Sequence, residues 1–177
     1  MMAITVWTVG HSTLGIDEFA ALLRAHNVQL VADIRSLPGS RRYPHFDRET
    51  LSSLLHNRRL GYRYLKALGG RRRASKDSIN LGWRHPSFRG YADYTLTKAF
   101  ADGCDALMEL AAKRRVAVMC AEAVYWRCHR NILADVLCVR GVEVQHILSN
   151  KSVRQHKLHD FAVVQDGMLS WPQIETQ

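Results

Sequence analysis

No long hydrophobic run occurs in this sequence, and cysteine and proline are both scarce. The chain has 177 residues, among them 4 cysteines and 4 prolines. Since a membrane-spanning helix needs about 20 consecutive apolar residues, the sequence predicts no such helix and no membrane partner. Residues 1–9 have neither a basic flank nor a small-residue cleavage site, so we expect a cytoplasmic protein without a signal peptide.

The four cysteines also lack the spacing of a zinc ribbon, because none of them belongs to a Cys-x-x-Cys pair. In a cytoplasmic chain of this size we expect free thiols rather than disulfides. Cys104 and Cys138 are predicted to be small apolar side chains of the core. We therefore assign no metal ligands, and the sequence indicates neither a cofactor nor an oligomeric state.

Acidic residues are outnumbered by basic ones. The chain carries 25 Lys and Arg against 16 Asp and Glu, which gives a formal net charge of +9. Much of the excess is arginine in short clusters such as Arg71-Arg72-Arg73 and Arg114-Arg115. A basic balance favours anionic partners, either small molecules or nucleic acid. A solvated surface in an arginine-rich proteome has the same composition, so charge alone does not decide between these interpretations.

Short apolar runs alternate with amphipathic segments, a pattern typical of a parallel sheet with helices on both faces. Strands are predicted at residues 5–10, 29–34, 62–65, 116–121 and 142–148. Helices are predicted at residues 17–26, 94–112 and 131–139, with a further one after Asp47. We predict one three-layer α/β domain over residues 1–177, with a mostly parallel sheet of about five strands.

Two segments fall outside this alternation. Residues 71–90 are polar and basic and contain Trp83 and Phe88, and they predict a long loop of the kind that is usually functional or mobile. Near the C-terminus, Gln165-Asp166-Gly167 separates two apolar stretches, and an Asp-Gly pair is typical of a tight hairpin turn. We therefore expect a small hairpin at about residues 158–172.

Polar side chains follow several of the predicted strands at the points where the strands end. These are His11 and Ser12 after the first strand, Asp33 and Arg35 at the second, Glu122 after the strand at 116–121, and His146 near the end of the last. Ligands of open α/β sheets bind outside the carboxyl ends of the strands. We therefore predict one ligand site to which several strands contribute.

Asp33 stands out among these residues because it lies within the apolar run Leu30-Val31-Ala32-Asp33-Ile34. Burying an unpaired carboxylate costs several kcal/mol. Arg35 lies two residues further on, on the same face of an extended chain. A structural ion pair and a place in the ligand site are equally open interpretations, and they are compatible with each other.

Residues 120–130 are the segment richest in reactive side chains, and they leave a strand and enter a helix. Such a turn directs backbone N–H groups and the positive end of the helix to one spot, which favours an anion. A thiol at a helix start is a candidate for a lowered pKa, so we predict Cys128 as nucleophile and Cys120 as a core residue. Arg127, His129 and Arg130 are predicted to bind the substrate.

Three other interpretations of this region fit less well. A thiol-phosphatase loop has five residues between its cysteine and arginine, whereas six glycine-free positions separate Cys120 from Arg127. A c-type haem motif needs another cysteine before Cys128-His129. A metal site could combine cysteine, histidine and glutamate side chains, but isolated residues of these types are more often structural. The residues considered for it are His11, Glu122, Cys128, His129 and His146.

Several short motifs form a specific combination in this order along the chain. They are Thr8-Val9-Gly10-His11-Ser12, Asp33-Ile34-Arg35 with Pro38 and Ser40, Leu68-Gly69-Gly70, Cys120-Ala121-Glu122, Cys128-His129-Arg130, and Gly141 with Val144-Gln145-His146-Ile147. In this combination the chain resembles the family catalogued as domain of unknown function 488, over about residues 5–148. The resemblance implies a compact α/β fold with a site at these motifs. It implies no reaction, because the family carries no agreed activity.

Together these features favour an enzyme that acts on an anionic small molecule or nucleotide-like substrate. Glu122 or Asp33 would act as general acid or base with help from His11, and Cys128 would attack the substrate. The predicted substrate-binding residues are Ser12, Arg35, Arg127, His129 and Arg130.

Two alternatives remain open at this stage. The first is a nucleic-acid-binding or nucleic-acid-processing protein, in which arginine clusters hold phosphates while Trp83 and Phe88 stack on bases. The second is a ligand-binding protein without turnover.

Overall fold

The computed structural model describes residues 3–174, which form a six-stranded sheet and a separate two-stranded hairpin. The strands of the large sheet are β1 (Thr5–Gly10), β2 (Leu30–Asp33), β3 (Gly61–Tyr64), β4 (Val116–Cys120), β5 (Glu143–Ser149) and β6 (Ser152–Gln155). Their order is β3-β2-β4-β1-β5-β6, and β6 alone of these six runs antiparallel to its neighbour. The prediction of a mostly parallel sheet is confirmed.

Helices cover both faces of the large sheet. Those in residues 3–174 are α1 (Ile16–Ala25), α2 (Arg48–His56), α3 (Pro86–Tyr94), α4 (Lys98–Ala111) and α5 (Arg130–Val139). Side chains of α1 and α2 pack in one buried cluster, and those of α3, α4 and α5 pack in the other. The three-layer prediction is therefore confirmed. Within residues 3–174, no helix has both the length and the apolar character that crossing a bilayer demands.

The central position of β4, between β2 and β1, explains why its sequence is one continuous apolar run. Val116 and Val118 point into one cluster, and Ala117 and Met119 point into the other. All residues of β4 are buried, because a central parallel strand is covered on both faces.

The helix predicted at residues 94–112 is confirmed as α4, which begins four residues later than predicted, at Lys98. The hydroxyl of Thr97 accepts a hydrogen bond from the N–H of Phe100 (3.3 Å) and caps α4. The preceding helix α3 begins at Pro86, inside the stretch predicted as a loop. Proline suits a first helical turn, since its fixed φ fits the helix and its missing N–H is not needed there.

The C-terminal hairpin is confirmed. Strands β7 (Val163–Gln165) and β8 (Met168–Ser170) pair antiparallel. Asp166 and Gly167 both have positive φ, 51° and 77°, as a two-residue turn of the hairpin type requires. Beyond β8, the fully buried Trp171 anchors the segment in the core.

Gly10 allows a close crossing at the end of β1. A Cβ atom at this position would overlap the carbonyl oxygen of Glu122, so the loop after β4 can lie directly over the end of β1 only because Gly10 has no side chain. Two backbone hydrogen bonds stabilise this crossing. The N–H of His11 donates to the carbonyl oxygen of Cys120 (2.9 Å), and the N–H of Ser12 donates to that of Ala121 (3.1 Å). This crossing joins the ends of two strands at one edge.

Candidate functional site

A cleft of about 410 Å³ opens at the carboxyl edge of the sheet. We call it the edge cleft, and its lining includes Arg35, Arg71, Glu122, Arg127, Cys128 and His129. An adjoining hollow of about 370 Å³ shares Arg35 and Glu122 with it and adds His11 and Ser12. Asp33 and Arg130 lie buried nearby and are not among the lining residues.

A larger hollow of about 670 Å³ lies at the opposite edge of the sheet, beside Arg59, Lys113 and Arg114. These three side chains are exposed, and none of the residues that line the hollow is a cysteine or a carboxylate. Because this hollow offers neither a thiol nor a carboxylate, we regard the smaller edge cleft as the candidate site.

Asp33 and Arg35 form a buried, two-pronged ion pair. The Arg35 Nε donates to Asp33 Oδ1 (2.9 Å) and its Nη2 to Oδ2 (2.6 Å), while Tyr62 donates its hydroxyl to Oδ2 (2.6 Å). Arg35 also donates to the carbonyl oxygen of Phe46 (2.8 Å). Burial alone would lower the pKa of Arg35, but Asp33 outweighs it and the pKa is raised. The Asp33 carboxylate therefore has partners on both oxygens.

His11 packs face to face on Phe46, with ring centroids 4.0 Å apart. Its Nδ1 lies 2.9 Å from the carbonyl oxygen of Ser12, so Nδ1 carries the proton, and Nε2 lies 3.5 Å from Nη1 of Arg35. Burial lowers the pKa of His11 to about 4, which leaves the imidazole neutral near pH 7.

The sulfur atoms of Cys120 and Cys128 lie 2.8 Å apart. Burial alone would raise the pKa of Cys128, but hydrogen bonding from the Cys120 thiol and the nearby His129 and Arg130 outweigh it. The pKa of Cys128 is therefore well below that of an ordinary thiol. Burial raises the pKa of Cys120 well above it. The two opposite pKa shifts thus favour the thiolate on Cys128 and the proton on Cys120.

The local structure explains why donors converge on Cys128. This residue lies just before α5, and the N–H of Arg130, in the first turn of that helix, donates to its sulfur (3.4 Å). The Nδ1 of His129 lies 3.4 Å from the same sulfur, and its Nε2 donates to the carbonyl oxygen of Ile34 (3.1 Å). A Cβ on Gly70 would overlap the imidazole, so a glycine lets the ring lie where it does.

Arg130 is buried beneath the loop that it stabilises. Its Nη2 donates to the carbonyl oxygen of Glu122 (2.7 Å), and its Nη1 donates to the hydroxyl of Thr8 (3.3 Å). Glu122 is exposed, and so is Arg127. The guanidinium of Arg130 therefore binds backbone and hydroxyl groups, whereas Glu122 and Arg127 remain accessible in the cleft.

His146 lies away from the edge cleft, although it follows the pattern of the other strand-end residues. Its Nδ1 lies 2.7 Å from the hydroxyl of Thr8, its Nε2 lies 2.9 Å from Nδ1 of His156, and Tyr125 stacks on its ring at 3.6 Å. Burial and the nearby His156 and Arg130 lower the pKa of His146 to about 3. Its surroundings therefore favour a neutral imidazole within a buried network.

The far end of this network is Asp135, which sequence reasoning missed. Its fully buried carboxylate lies 2.7 Å from the side-chain nitrogens of His156, His159 and Trp171. Burial alone would raise its pKa, but the hydrogen bonds from His156 and His159 outweigh it and lower the pKa. The signal in the sequence was an aspartate inside the apolar run Ile132-Leu133-Ala134-Asp135-Val136-Leu137, which demands buried partners.

Asp135, His156 and His159 are also the group in residues 3–174 that could hold a metal ion, because their ligand atoms all lie within 4.8 Å of one another. Each of these groups already has a hydrogen-bond partner of complementary type. Their contacts join the C-terminal segment to α5.

The fold and the edge cleft define an open α/β protein with a thiol pair at the carboxyl edge of its parallel sheet. The chain belongs to the family described as "Domain of unknown function DUF488", whose model matches residues 15–137, more than half of the chain. The resemblance recognised in the motifs is thereby confirmed. The matched part includes Asp33, Cys120 and Cys128, whereas His11 and His146 lie outside it. No curated protein and no solved structure matches the chain.

Removing the guanidinium of Arg35 should destabilise the fold. Arg35→Ala would leave the Asp33 carboxylate buried without its cation, so we expect the free energy of unfolding to fall by roughly 3–5 kcal/mol. Equilibrium unfolding in urea measures this change. As a control, Lys98→Ala removes one partner of a solvent-exposed pair, Lys98–Asp102, and should leave the midpoint nearly unchanged. Equal midpoints for Arg35→Ala and the wild type would contradict a structural role for the pair.

The network around His146 should make stability depend on pH. The unfolded chain takes up a proton at an ordinary histidine pKa of about 6.5, whereas the folded protein keeps this imidazole neutral until about pH 3. Between these values the unfolded state binds more protons, so the free energy of unfolding falls as the pH drops. His146→Gln should reduce the slope by up to about 1.4 kcal/mol per pH unit.

Urea unfolding at several pH values measures these slopes. The matched control is His56→Gln, which removes an exposed imidazole from α2 and should keep the wild-type slope. A His146→Gln slope equal to that of the wild type would contradict the buried, neutral state of His146.

Proposed function

We propose that this protein is a cysteine-dependent enzyme that acts on an anionic small molecule or nucleotide-like substrate in the edge cleft. The observation that carries the proposal is the environment of Cys128. Neighbouring donors stabilise its sulfur as a thiolate, and the same residue lines the cleft with 6% of its surface exposed. A stabilised thiolate at a cleft is what a nucleophilic cysteine requires.

The other cysteines support this proposal by contrast. Burial raises the pKa of Cys104 to about 12 and that of Cys138 to about 11, as expected for thiols among apolar side chains. Cys128 is also buried, yet its pKa moves in the opposite direction. The difference comes from the donors around its sulfur, and such an environment favours a chemical role over a purely packing role.

The charges around the edge cleft support an anionic substrate. Arg71 and Arg127 are exposed cations in its lining, and the first turn of α5 adds its N–H groups. Arg35 contributes less net charge, because Asp33 neutralises it. We propose that Arg71 and Arg127 attract the substrate. We propose also that the buried, positively charged Arg130 stabilises the thiolate of Cys128.

Two further roles follow for the acidic and imidazole groups. Glu122 is the carboxylate among the lining residues, so we propose it as the general acid or base. Both oxygens of Asp33 are engaged, and we propose that it positions Arg35 and Tyr62. His11 and Ser12 lie in the adjoining hollow, where a neutral imidazole and a hydroxyl suit substrate binding.

The proposal predicts selective alkylation of Cys128. Since the thiolate is the reactive form, iodoacetamide should label Cys128 at about pH 6, well below the range in which ordinary thiols react. Cys104 and Cys138 should react much more slowly, and peptide mapping by mass spectrometry separates the sites. Labelling of Cys128 only above about pH 8 would contradict the proposal.

A measurement of enzymatic turnover is the second part of this test. In a broad hydrolase and transferase screen, Cys128→Ser should abolish any activity of the wild type, whereas Cys138→Ser should retain it. If a ligand raises the melting temperature but no substrate turns over, the non-catalytic alternative is favoured instead.

Nucleic acid is the second candidate ligand, because exposed arginines flank the cleft. Trp83, however, is buried against Phe88, Phe161 and Trp171 and does not offer a face for base stacking. Trp126 is the exposed aromatic nearest to Arg127 in sequence, with 49% of its surface accessible. Phe88, the other aromatic residue first considered, is half-buried and lines the edge cleft. The exposed arginines and Phe88 therefore support this candidate, whereas Trp83 does not.

Oligonucleotide binding at low and high salt tests this second candidate. If phosphates bind at the cleft, affinity should fall steeply as salt rises, because counterions are released on binding. The double variant Arg71→Ala/Arg127→Ala should weaken binding, while Arg59→Ala/Arg114→Ala, at the opposite edge of the sheet, also removes two charges and serves as the matched control. Binding that is absent or insensitive to salt excludes this candidate.

A further inference from the structure

We propose that Cys120 and Cys128 act together as a dithiol that reduces a small anionic disulfide. This inference rests on the proposed nucleophilic role of Cys128 and gives its substrate class. The observation behind it is the 2.8 Å distance between the two sulfur atoms, both of which belong to residues that line the edge cleft. The two cysteines are free thiols in the structure.

The backbone brings the two thiols together from positions eight residues apart. Cys120 is the last residue of β4, and Cys128 lies just before α5, so the intervening loop folds back on itself. A disulfide bond joins its sulfur atoms at about 2.05 Å. The two sulfur atoms therefore need to approach each other by less than one ångström to form this bond.

The two thiols differ in the way that a dithiol reductant requires. Two donors stabilise a thiolate on Cys128, namely the N–H of Arg130 and the Cys120 thiol. The Nδ1 of His129 becomes a third donor when the ring carries both protons, because Nε2 already donates to Ile34. Cys120 keeps its proton, and its thiol points also toward the carbonyl oxygen of Glu122 at 3.7 Å. The Cys128 sulfur is thus suited to attack in a first step, and the protonated Cys120 thiol lies next to it for a second step.

In the first step, the Cys128 thiolate attacks one sulfur of the substrate disulfide R–S–S–R. A bond forms between Cys128 Sγ and that sulfur, and the S–S bond of the substrate breaks. The second half of the substrate leaves as the thiolate R–S⁻ and takes a proton from solvent. The product on the protein is a mixed disulfide at Cys128.

In the second step, Cys120 attacks Cys128 Sγ and expels the remaining half of the substrate. The proton of Cys120 passes to the departing thiolate, which leaves as R–SH. The protein now carries a Cys120–Cys128 disulfide, and the substrate has gained two electrons and two protons in total. A second thiol compound, acting as the reductant, restores the dithiol by the reverse exchange.

The edge cleft restricts the substrate by size and charge. Its volume of about 410 Å³ suits a small molecule. Arg71 and Arg127 favour a disulfide that carries carboxylate groups over one that carries amines. A purely hydrolytic thiol enzyme would not need a second thiol against its nucleophile, so the pair itself favours exchange chemistry.

The experiment compares two disulfides of opposite charge, oxidised glutathione and cystamine, on the reduced full-length protein. Oxidised glutathione should remove two of the 4 thiols and lower the intact mass by two hydrogen atoms. Peptide mapping should then find Cys120 joined to Cys128. Cystamine should react at least about tenfold more slowly, since like charges repel at the cleft.

Single substitutions separate the two steps. Cys120→Ser should stop after the first step and accumulate one glutathione on Cys128, whereas Cys128→Ser should not react. Cys138→Ser, a change at a partly buried thiol in α5, should behave like the wild type. Circular dichroism checks that each variant folds, and the wild-type peptide map needs no substitution at all.

The outcomes distinguish this inference from the function on which it rests. If Cys128 is alkylated at low pH but the wild type stops at the mixed disulfide, the dithiol is overturned while the nucleophile stands. If Cys128 resists both iodoacetamide and oxidised glutathione, both proposals fail. Equal rates for cystamine and oxidised glutathione would overturn the anionic substrate class.

Discussion

The hydrogen bond from the buried Arg130 guanidinium to the carbonyl oxygen of Glu122 holds the loop between β4 and α5 closed. Gly10 allows that loop to lie directly on β1, and the same arginine reaches Thr8 in that strand. With the loop held at both ends, Cys128 returns to Cys120 at the carboxyl edge of the sheet. The chemistry proposed for the edge cleft depends on this one anchored crossing.

Two buried polar systems extend from this part of the sheet. One joins Asp33 to Arg35 and Tyr62, and the other runs through hydrogen bonds from Thr8 by way of histidines to Asp135. Buried polar groups are costly unless they are paired, and a fully paired network is rigid. Such networks keep the residues behind the cleft in fixed positions, as the proposed role of Cys128 requires.

Much of the fold was readable from local patterns. The continuous apolar run of β4 predicted a strand, and Asp166-Gly167 predicted the hairpin turn, because each pattern belongs to a single short segment of the chain. The start of α4 was predicted four residues too early, and the hydrogen bond from the N–H of Phe100 to the hydroxyl of Thr97 marks where the helix begins. The burial of Trp83 was also missed, because its neighbours Phe161 and Trp171 are distant in sequence.

By itself, the sequence determined the alternation of strands and helices and the edge at which polar residues follow the strands. Both depend on periodicity and on the direction of the chain, which are local properties. Only the tertiary structure decided that Tyr62 reaches Asp33, that Trp171 reaches Asp135, and that Cys120 lies against Cys128. These contacts depend on strand order and loop closure. Both arise from the packing of the whole chain and produce no periodic pattern in the sequence.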